Sequence, residues 1–291
     1  MRKNVFSLIS QVKVGLITAW IGVLSVSLPV AGIVTAQPHL AREKEASQAV
    51  AGVSQTLDIQ TAEQIAPTPQ IAVNDHLAAS KSPLLAIVDH EDIRPADRLL
   101  LDKTFRALPA LCRDNITNFY VNYAKNAPRG LSGAGGTMMI SGNESADIKR
   151  ALVTHECGHI VDLAALVGTP DSGKTAFYDG KQPIYANDPS VSFYAISWTS
   201  ANQKKKGTRD ADFVSGYAKT DVFEDFGESF AFYAFHRQEF ARLAQRNPAL
   251  AAKYNWLAAN VFQASPVLAT STYKRTDLAW DVTKLPYNWL Q

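Results

Sequence analysis

The chain has 291 residues, 46% of them apolar, with 16 glycines and 14 prolines, an ordinary globular composition that allows one large domain or two small ones. A formal net charge of +2 gives no electrostatic case for a nucleic acid or an acidic partner. The one dense basic run, Lys204 to Lys206, lies among Gln, Gly, Thr and Arg and reads as a solvated loop.

From the N-terminus, Arg2, Lys3 and Lys13 precede an uncharged apolar stretch from Val14 to Ala36, with small residues at Val34 and Ala36. This predicts an export signal over residues 1–36. It is either cleaved after Ala36 or kept as a membrane tether through residues 14–36, long enough for a hydrocarbon layer of roughly 30 Å. The basic flank stays inside, so the remainder is expected outside the cytoplasm, secreted or anchored at the cell envelope. Residues 37–83 are rich in Ala, Gln, Ser, Thr and Pro and predict a flexible spacer, because they hold too little apolar surface to fold alone. The folded domain is expected over residues 84–291.

Within it, Leu99, Leu100, Phe105, Leu108 and Leu111 carry helical spacing, and Pro95 suits a first turn. Asn118–Tyr123 alternates as a strand and Gly136–Ser141 makes a second, with the flexible turn PRGLSGAGG between them. Ser145 or Asn143 then caps a helix that runs to about Val167, where Gly168 and Pro170 stop it. Glu239 to Phe262 predicts one or two further helices, split near Pro248, and the aromatic tail after Ser265 is expected to pack on the domain. The aromatic segment Ile184–Trp198 fits a pocket wall and core packing equally well. Cys112 and Cys157 are the two cysteines, and they fit one disulfide or two buried thiols equally.

The helix after Ser145 contains THECGHIVD, residues 154–162. Residues four apart share a helix face, so the imidazoles of His155 and His159 can converge on one metal ion. Glu156 is rotated about 100° from His155, too far to ligate but able to reach a water held by the metal. Bound zinc lowers the pKa of such a water towards roughly 7, and Glu156 can take its proton as general base. Cys157 turns away from the histidine face and is a poor ligand.

A third ligand must come from elsewhere. Proteases that use a third His six residues after the second also need a Gly; Asp162 and Ala165 stand at those positions and exclude that class. Asp171, in GTPD, lacks the Tyr-Gly that should follow and reads as a turn residue. Glu224 and Glu228 lie four apart on a predicted helix among Phe223, Phe226 and Phe230. Glu224 suits a ligand, and Glu228 suits the acceptor that orients a ligand histidine through its other nitrogen.

With HECGHIVD, the stretch YAKTDVFEDFGESF resembles the anthrax lethal factor-type metallopeptidases among the gluzincins. Tyr217, Lys219, Thr220, Glu224 and Glu228 keep that family's order and spacing, and Asp162 matches its Asp near the histidine helix. The resemblance covers roughly Leu84 to Phe240, with motifs in two stretches only; nothing resembles the toxin's receptor-binding or kinase-recognising parts. It implies one Zn2+ ion held by His155, His159 and Glu224, Glu156 as base, Tyr217 as oxyanion donor, and Glu228 and Asp162 as supporting carboxylates. The implied fold is α+β and mostly helical, a zincin-like metallopeptidase domain with a small sheet over the motif helix. Gluzincins bind a peptide or protein substrate along the sheet edge, which makes Gly136–Ser141 the expected edge and RGLSGAGG the flank of the cleft. Two other readings share these residues: a non-catalytic envelope binding protein with a structural or decayed zinc site, and a zinc amidase acting on cell-wall peptides. Oligomeric state and cleavage preference are not encoded in any motif.

Overall fold

A computed structural model describes residues 83–263 and 265–290; the predicted signal segment and all but the last residue of the predicted spacer lie outside them. The described region is α+β. In chain order it runs α1 (Pro95–Ala107), α2 (Ala110–Arg113), β1 (Asn118–Asn122), β2 (Gly130–Ser132), β3 (Thr137–Ser141) and α3 (Ala146–Ile160). The hairpin β4 (Lys174–Asp179) and β5 (Gln182–Tyr185) follows, then α4 (Ser190–Ser197), β6 (Trp198–Ser200) and β7 (Gln203–Lys204). The long helix α5 (Val222–Ala244) leads to α6 (Pro248–Leu257) and to the terminal pair β8 (Ala269–Thr270) and β9 (Asn288–Trp289). Among the described residues, no helix is long and apolar enough to cross a membrane.

The helix expected from Pro95 to Leu111 is two helices. Pro109 forces Leu108 out of the helical region (φ −77°, ψ 158°), because the proline ring clashes with a helical predecessor. Ser145 caps α3, its hydroxyl accepting from the Ile148 N–H at 3.3 Å. Asn143 instead donates to the carbonyls of Tyr123 and Ala124, at 3.1 and 2.9 Å. Beyond Ile160 the backbone continues as one π-helical turn, Val161–Ala165, and ends at Leu166, close to the expected Val167.

The strand order corrects one expectation. β3, placed at the edge from its sequence, is the central strand: it pairs in parallel with β1 and antiparallel with β2. β2 lies inside the stretch read as a turn, and it forms one edge of the sheet, β1 the other. The return into β3 uses Gly135 and Gly136 at φ 84° and 71°, a left-handed turn that glycine adopts without a Cβ clash. Met138 and Ile140 of β3 are fully buried, as a central strand requires.

α3 is buried along nearly its whole second half because it is covered by the sheet, by α1 and by α5. Opposite the histidines, Cys157 forms a disulfide with Cys112 of α2, and both are inaccessible to solvent. Closing a loop of 45 residues in the unfolded chain corresponds to about 4 kcal/mol on the chain-entropy model. Phe193, Tyr194 and Trp198 are core residues, which settles the aromatic segment as packing and not as pocket wall. Deep under α5, Lys253 of α6 pairs with Asp225 at 2.7 Å with neither side chain exposed, and Trp198 Nε1 donates to the same carboxylate at 2.9 Å.

Candidate metal centre

The site is made where α3 crosses α5, and the crossing is a glycine contact. A Cβ on Gly158 would lie 2.7 Å from the Cα of Gly227, so neither helix tolerates a larger residue without moving apart. Each glycine costs its helix about 1 kcal/mol relative to alanine. In exchange, the ring of His155 and the ring of His159 pass over Gly227: a Cβ there would come 3.1 Å from His155 Cε1 and 3.2 Å from His159 Nε2. This close crossing brings Glu224, one turn earlier on α5, to both imidazoles.

The three ligand atoms form a small triangle. His155 Nε2 and His159 Nε2 are 3.1 Å apart, and Glu224 Oε2 lies 3.1 Å from the first and 3.4 Å from the second. A tetrahedral ion with bonds of about 2.0–2.1 Å spaces its ligands ~3.3–3.4 Å apart, so the triangle has the dimensions of one tetrahedral face. The donor chemistry agrees. Two imidazole nitrogens and a carboxylate are borderline ligands suited to zinc, and Glu224 Oε2 is a buried oxygen with no hydrogen-bond donor. The residues therefore fit a zinc ion.

The supporting contacts are equally specific. His155 Nδ1 lies 2.9 Å from Glu228 Oε1, too poorly aligned for a hydrogen bond but close enough for the carboxylate to favour a proton on Nδ1, the tautomer that leaves the Nε2 lone pair free. Glu228 is itself held by the Val282 N–H, which donates to Oε2 at 3.0 Å. The other ligand oxygen, Glu224 Oε1, accepts from the Tyr217 hydroxyl at 2.8 Å. Burial pushes the Glu224 carboxyl up, but the two imidazoles outweigh burial and hold it well below the usual carboxylate range. Burial likewise pushes His155 and His159 down, and the facing carboxylates of Glu224 and, for His155, Glu228 raise both.

Glu156 points beneath the edge strand. Ser132 Oγ is 2.5 Å from Glu156 Oε2, and a Cβ on Gly130 would fall 2.0 Å from Oε1, so a side chain there would displace the carboxylate from its present position. The two histidines, Glu156, Glu224, Glu228 and Tyr217 all line one cavity of about 440 Å³, a volume suited to a small ligand or a few peptide residues. Asp162 stands apart from the cavity, in the π-helical turn, with Oδ1 accepting from the Tyr194 hydroxyl at 2.6 Å and Oδ2 unpartnered. Burial pushes its carboxyl up to about 7 despite that hydroxyl, and it is coupled electrostatically to His159. Asp171 is exposed in a turn, Pro170–Ser172, as expected of a non-ligand.

Several residues of the site carry no motif. Gly158 and Gly227 had a readable signal, since a glycine inside a helix usually has a packing reason. Gly130 and Ser132 had none. Nor did the tail, which does more than pack: the Trp280 carbonyl accepts from the Tyr217 N–H at 2.6 Å, and Arg129 reaches Asp281 at 3.1 Å and Thr283 at 2.6 Å. No protein-family model, no curated protein and no solved structure matches this chain.

Proposed function

We propose that this chain is an exported zinc-dependent peptidase of the gluzincin type, with a zincin-like domain over residues 84–291. The observation that carries the reading is the triangle of His155 Nε2, His159 Nε2 and Glu224 Oε2, with tetrahedral edge lengths and one open side towards the cavity. A structural zinc site is closed by four protein ligands, whereas the His, Cys, Asp and Glu side chains gathered here among the described residues number three. That favours a catalytic site over the binding-protein reading. The buried disulfide supports a location outside the cytoplasm, where such bonds persist.

In this reading zinc, when bound, supplies a Lewis acid and an activated water. Glu156 takes a proton from the water and delivers it to the leaving amine, with Ser132 holding one carboxylate oxygen in place. Tyr217 donates its hydroxyl to the developing oxyanion, exchanging its resting acceptor, Glu224 Oε1, for the substrate oxygen. Glu228, beside His155 Nδ1, favours the proton there, and Asp162 acts on His159 through its charge alone. The extended peptide lies along β2, the sheet edge that borders the cavity.

The test is metal content by mass spectrometry on purified wild type and Glu224→Ala, followed by a peptide-library digest with and without chelator. One zinc per chain in the wild type, largely lost in the variant, together with chelator-sensitive cleavage, supports the reading. Zinc without cleavage of any peptide defeats the peptidase and returns the binding protein. A wild type that takes up no zinc after reconstitution defeats both.

A further inference from the structure

We propose that Trp280 determines substrate preference: it is a fixed aromatic platform that receives a large apolar or aromatic side chain of an extended peptide, next to the bond being cut. The inference rests on the peptidase reading for the presence of that bond. Its own support comes from the tail, which no motif covers.

A tryptophan is among the side chains that gain most from burial, yet Trp280 is 60% exposed. Single exposed apolar residues are common and need no explanation. Trp280 differs in three respects. It lies in the wall of the metal-site cavity and also of a second groove of about 460 Å³ formed with Gly216, Lys219, Arg275 and Leu278, so the residue borders both. It is also rigid. The carbonyls of Ala279 and Trp280 accept from the N–H groups of Gly216 and Tyr217 at 2.8 and 2.6 Å, and the next residues, Asp281 and Val282, are buried and tied to Arg129 and Glu228. Gly216 lies against this ring: a Cβ there would come 3.2 Å from Trp280 Cε3, a tight contact. Finally, the indole lies 5.8 Å, centroid to centroid, from the ring of Tyr217, whose hydroxyl contacts the ligand carboxylate.

A rigid, exposed aromatic face loses little conformational freedom when covered and gains hydrophobic and stacking free energy. The second groove does not select an acidic side chain instead, because Lys219 and Arg275 share its wall with Asp210 and Asp277. Lys219 pairs with Asp210 at 2.7 Å, and the Arg275 guanidinium donates to the Phe213 carbonyl at 2.6 Å. The favoured occupant is therefore an apolar or aromatic residue of a peptide long enough to run past the metal site into that groove.

The experiment digests a peptide library, randomised at the positions flanking the cut, with the zinc-loaded full chain. Wild type, Trp280→Ala, Trp280→Phe and Trp280→Arg are compared, with zinc content measured on each. Wild type is expected to favour Phe, Leu or Trp over Gly at one flanking position. Trp280→Ala lowers that ratio at least 10-fold, mainly through KM, Trp280→Phe retains it, and Trp280→Arg turns the preference towards acidic residues. Cleavage by the wild type with an unaltered ratio in both the Ala and Arg variants overturns the platform and leaves the peptidase standing. A zinc-loaded wild type that cuts no library member overturns both together.

Discussion

Glu224 and Asp225 are neighbours on α5, both acidic and both drawn into the protein, and the fold treats them differently. Asp225 turns into the core and meets a charge of its own chain: Lys253 at 2.7 Å, with the Trp198 N–H completing its shell. Glu224 turns towards α3 and meets two imidazoles and a phenol, with no lysine or arginine among its described partners. An unpaired buried carboxylate is costly, and the neighbouring residue shows that this fold can neutralise one internally. Glu224 is instead left to converge with two other lone pairs on a single point. A charge satisfied within the chain serves stability; on the function proposed above, a charge left at a convergence of lone pairs would serve an ion taken from outside.

Substitutions that exchange these two outcomes test the contrast. Lys253→Ala removes one partner of the internal pair and should cost about 3–5 kcal/mol, read from urea unfolding, because Asp225 is stranded in the core. Replacing both members with leucine and methionine should recover much of that loss. If Lys253→Ala costs under about 1 kcal/mol, the pair is not the structural counterpart described here. Glu224→Ala should also cost the metal-free protein some stability at neutral pH, since the two imidazoles favour the ionised carboxylate in the fold. Its zinc affinity should fall by more than the roughly 100-fold that losing an outer partner costs, which calorimetric titration would measure. Equal zinc affinity in the two proteins would end the comparison.

Glu228→Gln should weaken zinc by about 10- to 100-fold without abolishing it, since it loosens the orientation of His155 and leaves the three ligand atoms in place. The smallest expected effect concerns Asp162 in the metal-free protein. Its carboxyl, held near 7 in the folded state, titrates near about 3.9 when unfolded. The native state thus keeps a proton that the unfolded chain releases. This group's contribution is complete below about pH 4 and is lost as pH rises through about 7. Between about pH 5 and about pH 7.5, unfolding free energies of wild type and Asp162→Asn should diverge by on the order of 2 kcal/mol in favour of Asn. Parallel pH profiles would show that Asp162 is ionised in the fold.

The residues that carry local chemistry were readable from the chain. Four-residue spacing on a helix sends two side chains to one face whatever surrounds it, so His155 with His159, and Glu224 with Glu228, could be paired in advance. The caps and breakers, Ser145, Pro95 and Pro248, act through their own backbone neighbours and were readable for the same reason. What tertiary structure alone decided is everything that depends on which surfaces meet. The sheet order put β3 in the centre and left β1 and β2 as the edges, because strand pairing is a long-range choice that alternation within one strand does not encode. Pro109 divided the first helix, a local signal overridden in the reading by apolar spacing on both sides of it. Cys112 and Cys157 were joined by the packing of α2 on α3, and Trp280, Asp281 and Val282 were carried to the cavity by a tail with no periodic pattern. Helical spacing settles which side chains share a face. The glycine crossing of α3 and α5 settles that the two faces meet closely enough for three ligand atoms to share one ion's coordination sphere.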